Sequence, residues 1–203
     1  MKTLIVSFFP REEASNTKKL LESIKPQITG DIETLDLVKN LPDFFLNDSL
    51  NAYFKRNYMG AELDAEELKA LKKMDQMTSQ LKTADVLILA FPMHNFSMPA
   101  AVKAYFDSVL LKGETWDMDE SGYIGLLKGK KALVLSSSGG RYNEELGTKA
   151  WDFVTSQTQV LLGFMGFESH IIIAQGLSSQ NHVEENLTTA KQQASEVITE
   201  WYK

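Results

Sequence analysis

The chain has 203 residues, enough to bury a sizeable core and a better match to one domain than to two. Its 27 acids against 21 bases leave a net charge of −6 with no Lys/Arg-rich stripe, so its field offers nothing to attract nucleic acid or an anionic membrane. The complete lack of cysteine excludes a disulfide framework, thiolate catalysis and Cys-ligated zinc or iron–sulfur centres.

In chain order, the first expected element is a strand at Thr3–Phe8. The opening MKTLIVSFF resembles a secretory leader only briefly, because its apolar stretch runs at once into Pro10, Arg11, Glu12 and Glu13. Nothing else approaches the about 18 consecutive apolar residues of a spanning helix. The expectation is a soluble cytoplasmic protein with no membrane partner. A helix over 15–26 places Leu20, Leu21 and Ile24 on one side, and a second strand follows at Ile32–Leu37. Residues 39–60 read as irregular and rich in aromatics: Phe44, Phe45, Tyr53, Phe54 and Tyr58. An Asp64-x-x-Glu67 capping box then opens a helix to about residue 82.

The third strand, Asp85–Phe91, ends at Pro92, and a helix over 98–111 repeats Val102, Phe106, Val109 and Leu110. Residues 113–127 read as irregular, with Glu120-Ser121-Gly122 as the turn of a small hairpin. A fourth strand at Lys131–Ser137, a helix over 144–164, and a fifth strand at Ser169–Ala174 come next. The last helix follows an Asn181-x-x-Glu184 box and keeps Val183, Leu187, Ala190, Ala194, Val197 and Trp201 in register. The first, third, fourth and fifth strands are nearly continuous apolar runs, the pattern of strands covered on both faces. Alternating strands and helices predict an α/β fold: a doubly wound, five-stranded parallel sheet in the order 2-1-3-4-5 with helices on both faces. No internal boundary is visible, so residues 1–203 read as one domain.

In such a sheet ligands bind beyond the carboxyl ends of the strands where the order reverses, here the loops after strands one, three and four. The first loop ends Ser15-Asn16-Thr17 at a helix start, where backbone N–H groups, the positive helix end and two hydroxyls make a phosphate seat. The competing reading is that Ser15 or Asn16 merely caps the helix. The loop matches neither common nucleotide fingerprint: G-x-G-x-x-G is absent, and Gly125 to Lys130 is one residue short of a P-loop and precedes its strand. In the middle loop, Pro92 and Pro99 restrain Met93-His94-Asn95-Phe96 from both ends, which suits presenting main-chain groups to a heteroaromatic edge. His94 has no carboxylate close in sequence, and an orienting or packing role is expected ahead of proton transfer. The third loop, Ser137-Ser138-Gly139-Gly140, allows close backbone approach, and a flat ring could lie against it; an ordinary strand-to-helix turn is the alternative.

Together, these loops resemble the FMN-dependent NADH-azoreductases and quinone reductases, a branch of the flavodoxin-like flavoenzymes. The likeness extends through Lys103-x-Tyr105-Phe106-Asp107, Gly125-Leu126 with Gly129-Lys130-Lys131, Leu162-Gly163-Phe164-x-Gly166 and Gln175-Gly176. It implies that Ser15, Asn16 and Thr17 hold the FMN phosphate. Met93, His94, Asn95 and Phe96 would line the isoalloxazine, Asn95 and Phe96 at its reactive edge, and Ser137, Ser138, Gly139 and Gly140 would contact the ring. Three residues depart from the family pattern: His94 replaces the usual Tyr, Ser138 the usual Arg, and Phe9 lies near where many members carry Ser. Phosphate binding would then lean more on Arg11 or on backbone donors.

The resemblance also implies a homodimer in which the partner helps to roof each flavin. Trp116 and Tyr123 are candidates for the substrate pocket, against ordinary packing under long loops. The implied reaction is ping-pong: NADH or NADPH reduces bound FMN and leaves, and a quinone or azo compound then takes the two electrons. No side-chain nucleophile, metal or certain catalytic residue is required. A flavodoxin-type carrier passing single electrons to protein partners is the alternative within the fold. A hydrolase would need a metal cluster or nucleophile constellation, and the sequence displays neither.

Overall fold

A computed structural model of the chain describes residues 1–178 and 182–203. Five parallel strands form the central sheet: β1 (Lys2–Ser7), β2 (Asp31–Asp36), β3 (Val86–Pro92), β6 (Lys131–Ser137) and β7 (Glu168–Ala174). Their order is β2-β1-β3-β6-β7, which is the expected 2-1-3-4-5 once the hairpin strands β4 (Trp116–Asp119) and β5 (Gly122–Gly125) are set aside.

The continuous apolar runs reflect burial on two faces. Along β1 and β3, Leu4, Val6, Leu87, Leu89 and Phe91 face one core, while Ile5, Val86, Ile88 and Ala90 face another. The first core is closed by α3 (Ala65–Thr83), α4 (Ala100–Val109) and α5 (Phe153–Met165), through residues such as Leu81, Phe106 and Leu162. The second is closed by α1 (Asn16–Ile24) and α6 (Val183–Trp201), through Leu20, Ile24, Leu187 and Ile198. The fifth sheet strand takes the edge place that the expected order gives it, but it is not covered on both faces as its apolar run implied: only Ile172 and Ala174 are buried.

Several helix boundaries also differ. Residues 39–60 are not irregular throughout: α2 spans Asn47–Asn57 and packs on α3 through Ala52, Tyr53, Leu71 and Met74. Its start is hidden because Leu46 occupies the cap and has no side-chain acceptor; instead Leu46 N–H donates to Ser49 Oγ at 3.0 Å. Burial pushes the Tyr53 hydroxyl up to about 12, and this neutral oxygen accepts the Lys112 N–H at 2.9 Å. The helix expected over 144–164 begins only at Phe153, where Asp152 accepts the Thr155 N–H at 3.0 Å. Gly147, at φ +65°, lies in the preceding turns.

The Asp64 box forms as expected, with Asp64 Oδ1 accepting two N–H groups at 2.9 Å and Glu67 Oε2 accepting the Asp64 N–H at 2.9 Å. For the last box, Asn181 lies outside the described residues. The hairpin turns at Glu120-Ser121, and Gly122 follows at φ +112°. No helix of the described residues is long and apolar enough to cross a membrane.

The hairpin docks on the far end of α5 through two glycines. A Cβ built on Gly125 would stand 2.3 Å from the Gly166 nitrogen and 2.4 Å from the Met165 carbonyl carbon, both backbone atoms that cannot swing away. Gly125→Ala is therefore expected to lower stability by about 1–3 kcal/mol in urea unfolding. Gly163→Ala, on the same helix with open space around it, is expected to be neutral or stabilising by up to about 1 kcal/mol.

Candidate functional site

Parallel strands deliver the loops after β1, β3 and β6 to one rim, and the ladder continues one step beyond the strands to tie them together. Phe8 N–H donates to Ala90 O at 2.9 Å, Met93 N–H to Ser137 O at 2.8 Å, and Ser138 N–H to Ala174 O at 2.9 Å. A cavity of about 310 Å³ opens among these loops. Volumes of about 300–1,000 Å³ are usual for small-molecule sites. A larger groove, about 970 Å³, runs along α3 past Leu68, Lys72 and Gln76 beside the edge strand β2, and none of the rim loops reaches it.

The first loop supplies an anion seat. Ser15 caps α1, its Oγ accepting the Lys18 N–H at 3.1 Å, so the capping reading holds. Its hydroxyl proton stays free to donate, and Ser15 and Asn16 both line the cavity. The first N–H groups of a helix have no intrahelical acceptor, and the helix dipole adds positive potential there. Arg11 is the one Lys or Arg lining the cavity. Phe9 packs against the α1/α6 core. Thr17 differs from expectation. It is 0% exposed, and its hydroxyl is 2.7 Å from that of Ser137, inside the fold rather than in the cavity.

The middle loop is a tight reversal. His94 N–H donates to Ser97 O at 2.9 Å, Ser97 N–H to His94 O at 3.0 Å, and Asn95 and Phe96 between them have φ of +45° and +72°. Two successive positive φ values under such a bond pair are the pattern of a type I′ turn. Asn tolerates this region; Phe does not, and a residue so placed stores about 1–3 kcal/mol. The surroundings hold it: Phe153 N–H donates to Phe96 O at 3.0 Å, Ser97 Oγ to Gln157 Oε1 at 2.6 Å, and the Phe96 ring meets Tyr142 and Trp151 edge-on at 6.1 and 5.9 Å. Met93 and His94 line the cavity, the His94 ring standing edge-on to Phe8 at 6.0 Å. Asn95 and Phe96 form the exposed tip at its mouth, outside the lining.

The third loop meets a segment that the sequence reading left out. Leu177 N–H donates to Ser138 O, Ser178 N–H to Gly139 O, and Gly176 N–H to Gly140 O, so the loop after β7 continues the pairing, and Leu177 and Ser178 join Ser137, Ser138 and Gly139 in the cavity wall. A Cβ on Gly139 would lie 2.2 Å from Ser178 Oγ, and one on Gly140 would lie 3.1 Å from the Tyr142 hydroxyl. Neither glycine has positive φ. Close approach by the chain itself therefore accounts for both residues, and Gly140 stands outside the cavity. Applying the rim rule to the fifth strand as well, where Gln175-Gly176 follows it, would have found this segment.

Trp116 and Tyr123 are not among the residues that line this chain's own cavity. They form a trio with Phe164, at ring separations of 5.1 to 5.7 Å, beside the end of α5 that leads into the amino end of β7. The connection from α4 to β6 runs along the amino rim of the sheet, so a hairpin within it cannot wall a cavity at the carboxyl rim of the same chain.

A family model described as flavodoxin-like fold matches residues 1–198. An FMN-dependent NADH:quinone oxidoreductase of Hydrogenovibrio crunogenus is 34% identical over 81% of this chain and 80% of its own length. FMN-dependent NADH:quinone oxidoreductase 1 of Bacillus anthracis is 31% identical over 86% of this chain and 84% of its own. Among solved structures, an FMN-dependent NADH-azoreductase from Bacillus anthracis str. Ames Ancestor, in complex with FMN, superposes with a TM-score of 0.85 at 29% identity, covering 100% of this chain and 99% of that one.

The turn conformation is testable by itself. Asn95→Gly is expected to leave stability unchanged or raise it by up to about 1 kcal/mol, whereas Asn95→Val, β-branched at a positive φ, should lower it by about 1–3 kcal/mol in denaturant titration.

Proposed function

We infer the function from kinship and site together: the chain belongs to the flavodoxin-like fold family, among the FMN-dependent NADH:quinone oxidoreductases, and it is an FMN-dependent oxidoreductase that carries electrons from NADH to quinones and azo compounds. The observation that carries this reading is the single cavity wall built by Ser15 and Asn16, Met93 and His94, and Ser137 to Gly139. When bound, FMN supplies the redox chemistry, accepting a hydride from NADH and returning two electrons to the acceptor at the same ring face.

The residues fit a ligand with an anionic tail and a flat ring. At one end are the Ser15 hydroxyl, the leading N–H groups of α1 and the Arg11 guanidinium. At the other, apolar Met93 and Leu177 and the bare Gly139 backbone accept a planar surface, with Pro92 and His94 beside it. Thr17 belongs beneath this seat rather than in it, because its hydroxyl is spent on Ser137. Gly140 likewise supports the loop without facing the cavity. We assign no proton donor; His94 lines the cavity and orients the loop by packing on Phe8.

We read residues 1–203 as one FMN-binding domain that works as a cytoplasmic homodimer, the compartment being where nicotinamide nucleotides are held. Support for the dimer comes from α5, which starts at the cavity mouth and ends at the Trp116/Tyr123/Phe164 trio. Phe153 and Val160 share the exposed face of that helix, Val160 at 67% exposure. Two copies related by a two-fold axis across α5 would set the trio of each over the mouth of the other. In that arrangement Trp116 and Tyr123 regain the substrate-pocket role that their own chain denies them.

The decisive measurement starts with the purified protein. It is expected to be yellow, to bleach when NADH is added anaerobically, and to turn over NADH with menadione and with methyl red; a colourless protein that binds no FMN on titration overturns the reading. For the dimer, Tyr123→Ala is expected to raise the acceptor KM several-fold while leaving FMN affinity unchanged, and sedimentation should report two chains; a monomer with wild-type turnover removes the shared site.

A further inference from the structure

Ser137 is a junction. Its carbonyl accepts Met93 N–H at 2.8 Å, its hydroxyl is 2.7 Å from that of Thr17, and its chain continues directly into the third loop. Thr17 is the second residue of α1, immediately after the residues that form the anion seat. The bond is buried, with Thr17 fully enclosed and Ser137 at the cavity wall, and it joins positions 120 residues apart. Among the described residues it is the side-chain hydrogen bond that ties α1 to the sheet. The remaining α1 contacts, through Leu20, Leu21 and Ile24, are apolar and therefore without direction.

Apolar contacts carry no directional preference of their own, whereas an O–H···O bond fixes its partners and weakens once they leave the range of about 2.5–3.0 Å. Sliding α1 would move the anion seat relative to the strand end that carries the ring-facing loop. We propose that Thr17 and Ser137 are positioning residues: their hydroxyl pair sets the separation between the tail-binding and ring-binding ends of the cavity. The proposal rests on the FMN reading above. It differs from a ligand role for Thr17, because a clasp leaves the affinity for each fragment alone and acts only on a ligand that must reach both ends at once.

That difference is measurable by equilibrium titration of apoprotein with three probes: FMN, riboflavin, which lacks the phosphate, and inorganic phosphate in competition with FMN. Thr17→Val keeps the shape and removes the hydroxyl; Ser137→Ala removes the other half. Thr17→Val is expected to raise the FMN Kd roughly tenfold while the riboflavin and phosphate constants move less than about twofold; Ser137→Ala, whose residue also lines the cavity, is expected to raise the FMN Kd at least as much. The double variant should be no weaker than the worse single one, since both remove the same bond. Thr17→Ser should restore FMN binding.

A fall in phosphate affinity with Thr17→Val would make Thr17 a ligand and overturn the clasp. An equal loss for all three probes would reduce it to general stability, and additive losses in the double variant would mean two unrelated roles; each outcome also overturns it. Should Thr17→Val not fold, Thr17→Ala, which also removes the hydroxyl and lies outside the cavity lining, carries the same comparison. Wild-type protein that binds riboflavin and phosphate but not FMN would instead fail the functional reading from which the proposal starts.

Discussion

All five strands of the central sheet run in one direction, and this constraint places everything else. Each strand releases its chain at the same rim, so segments that begin near residues 8, 93, 138 and 175 meet there although the intervening chain is long. Each crossover helix must then return to the opposite rim. The helix that follows a rim loop therefore points its amino end, with its unpaired N–H groups, toward the meeting place. An anion seat is thus a by-product of topology, and Ser15 with Arg11 only sharpens it. The same geometry removes the hairpin from the site, because any insertion between α4 and β6 emerges at the amino rim.

How much of this could be read in advance follows from which signals are local. β3 and β6 carry continuous apolar runs because both faces are buried, so their existence, and the two helical layers, were legible in residues 86–91 and 132–135. The Asp64 box was legible because its acceptor and its donors lie within four residues. α2 was not, because a leucine stands at its cap and the compensating Ser49 hydroxyl reaches backward. α5 was overextended because Ala150 fits its period while Asp152, the residue that starts it, gives no apolar signal. The partial burial of β7 was hidden for a different reason. Ile171, Ile172 and Ile173 look alike in sequence, yet only Ile172 is buried, because an edge strand has a neighbour on one side alone.

Glycine illustrates how the same residue supports different explanations. Gly139 was expected to make room for a ring, and the rim position makes that sensible. In the fold its missing Cβ first makes room for Ser178, and Gly125 and Gly166 make room for each other. These glycines admit neighbouring chain before they admit any ligand. The consequence for the site is constructive: pressing residues 175–178 against the third loop is what brings Leu177 and Ser178 into the cavity wall, and a side chain at Gly139 would displace the Ser178 hydroxyl.

Strain at the tip of the middle loop completes the picture. A bulky residue at φ +72° persists only where its surroundings over-determine it. Apart from the turn's own bonds, the restraints on Phe96 and its neighbour Ser97 come from Tyr142, Trp151, Phe153 and Gln157, which belong to the third loop, the short turn that follows it and the start of α5. The middle loop is therefore held by the third, and the third is held by the segment after β7. Through the buried hydroxyls of Thr17 and Ser137, the first loop is fastened to the strand from which the third departs. Four segments so linked cannot adjust one at a time. A ligand that touches any one of them meets the stiffness of all, which favours a fixed, two-ended shape over ligands that would have to remodel the rim in order to bind.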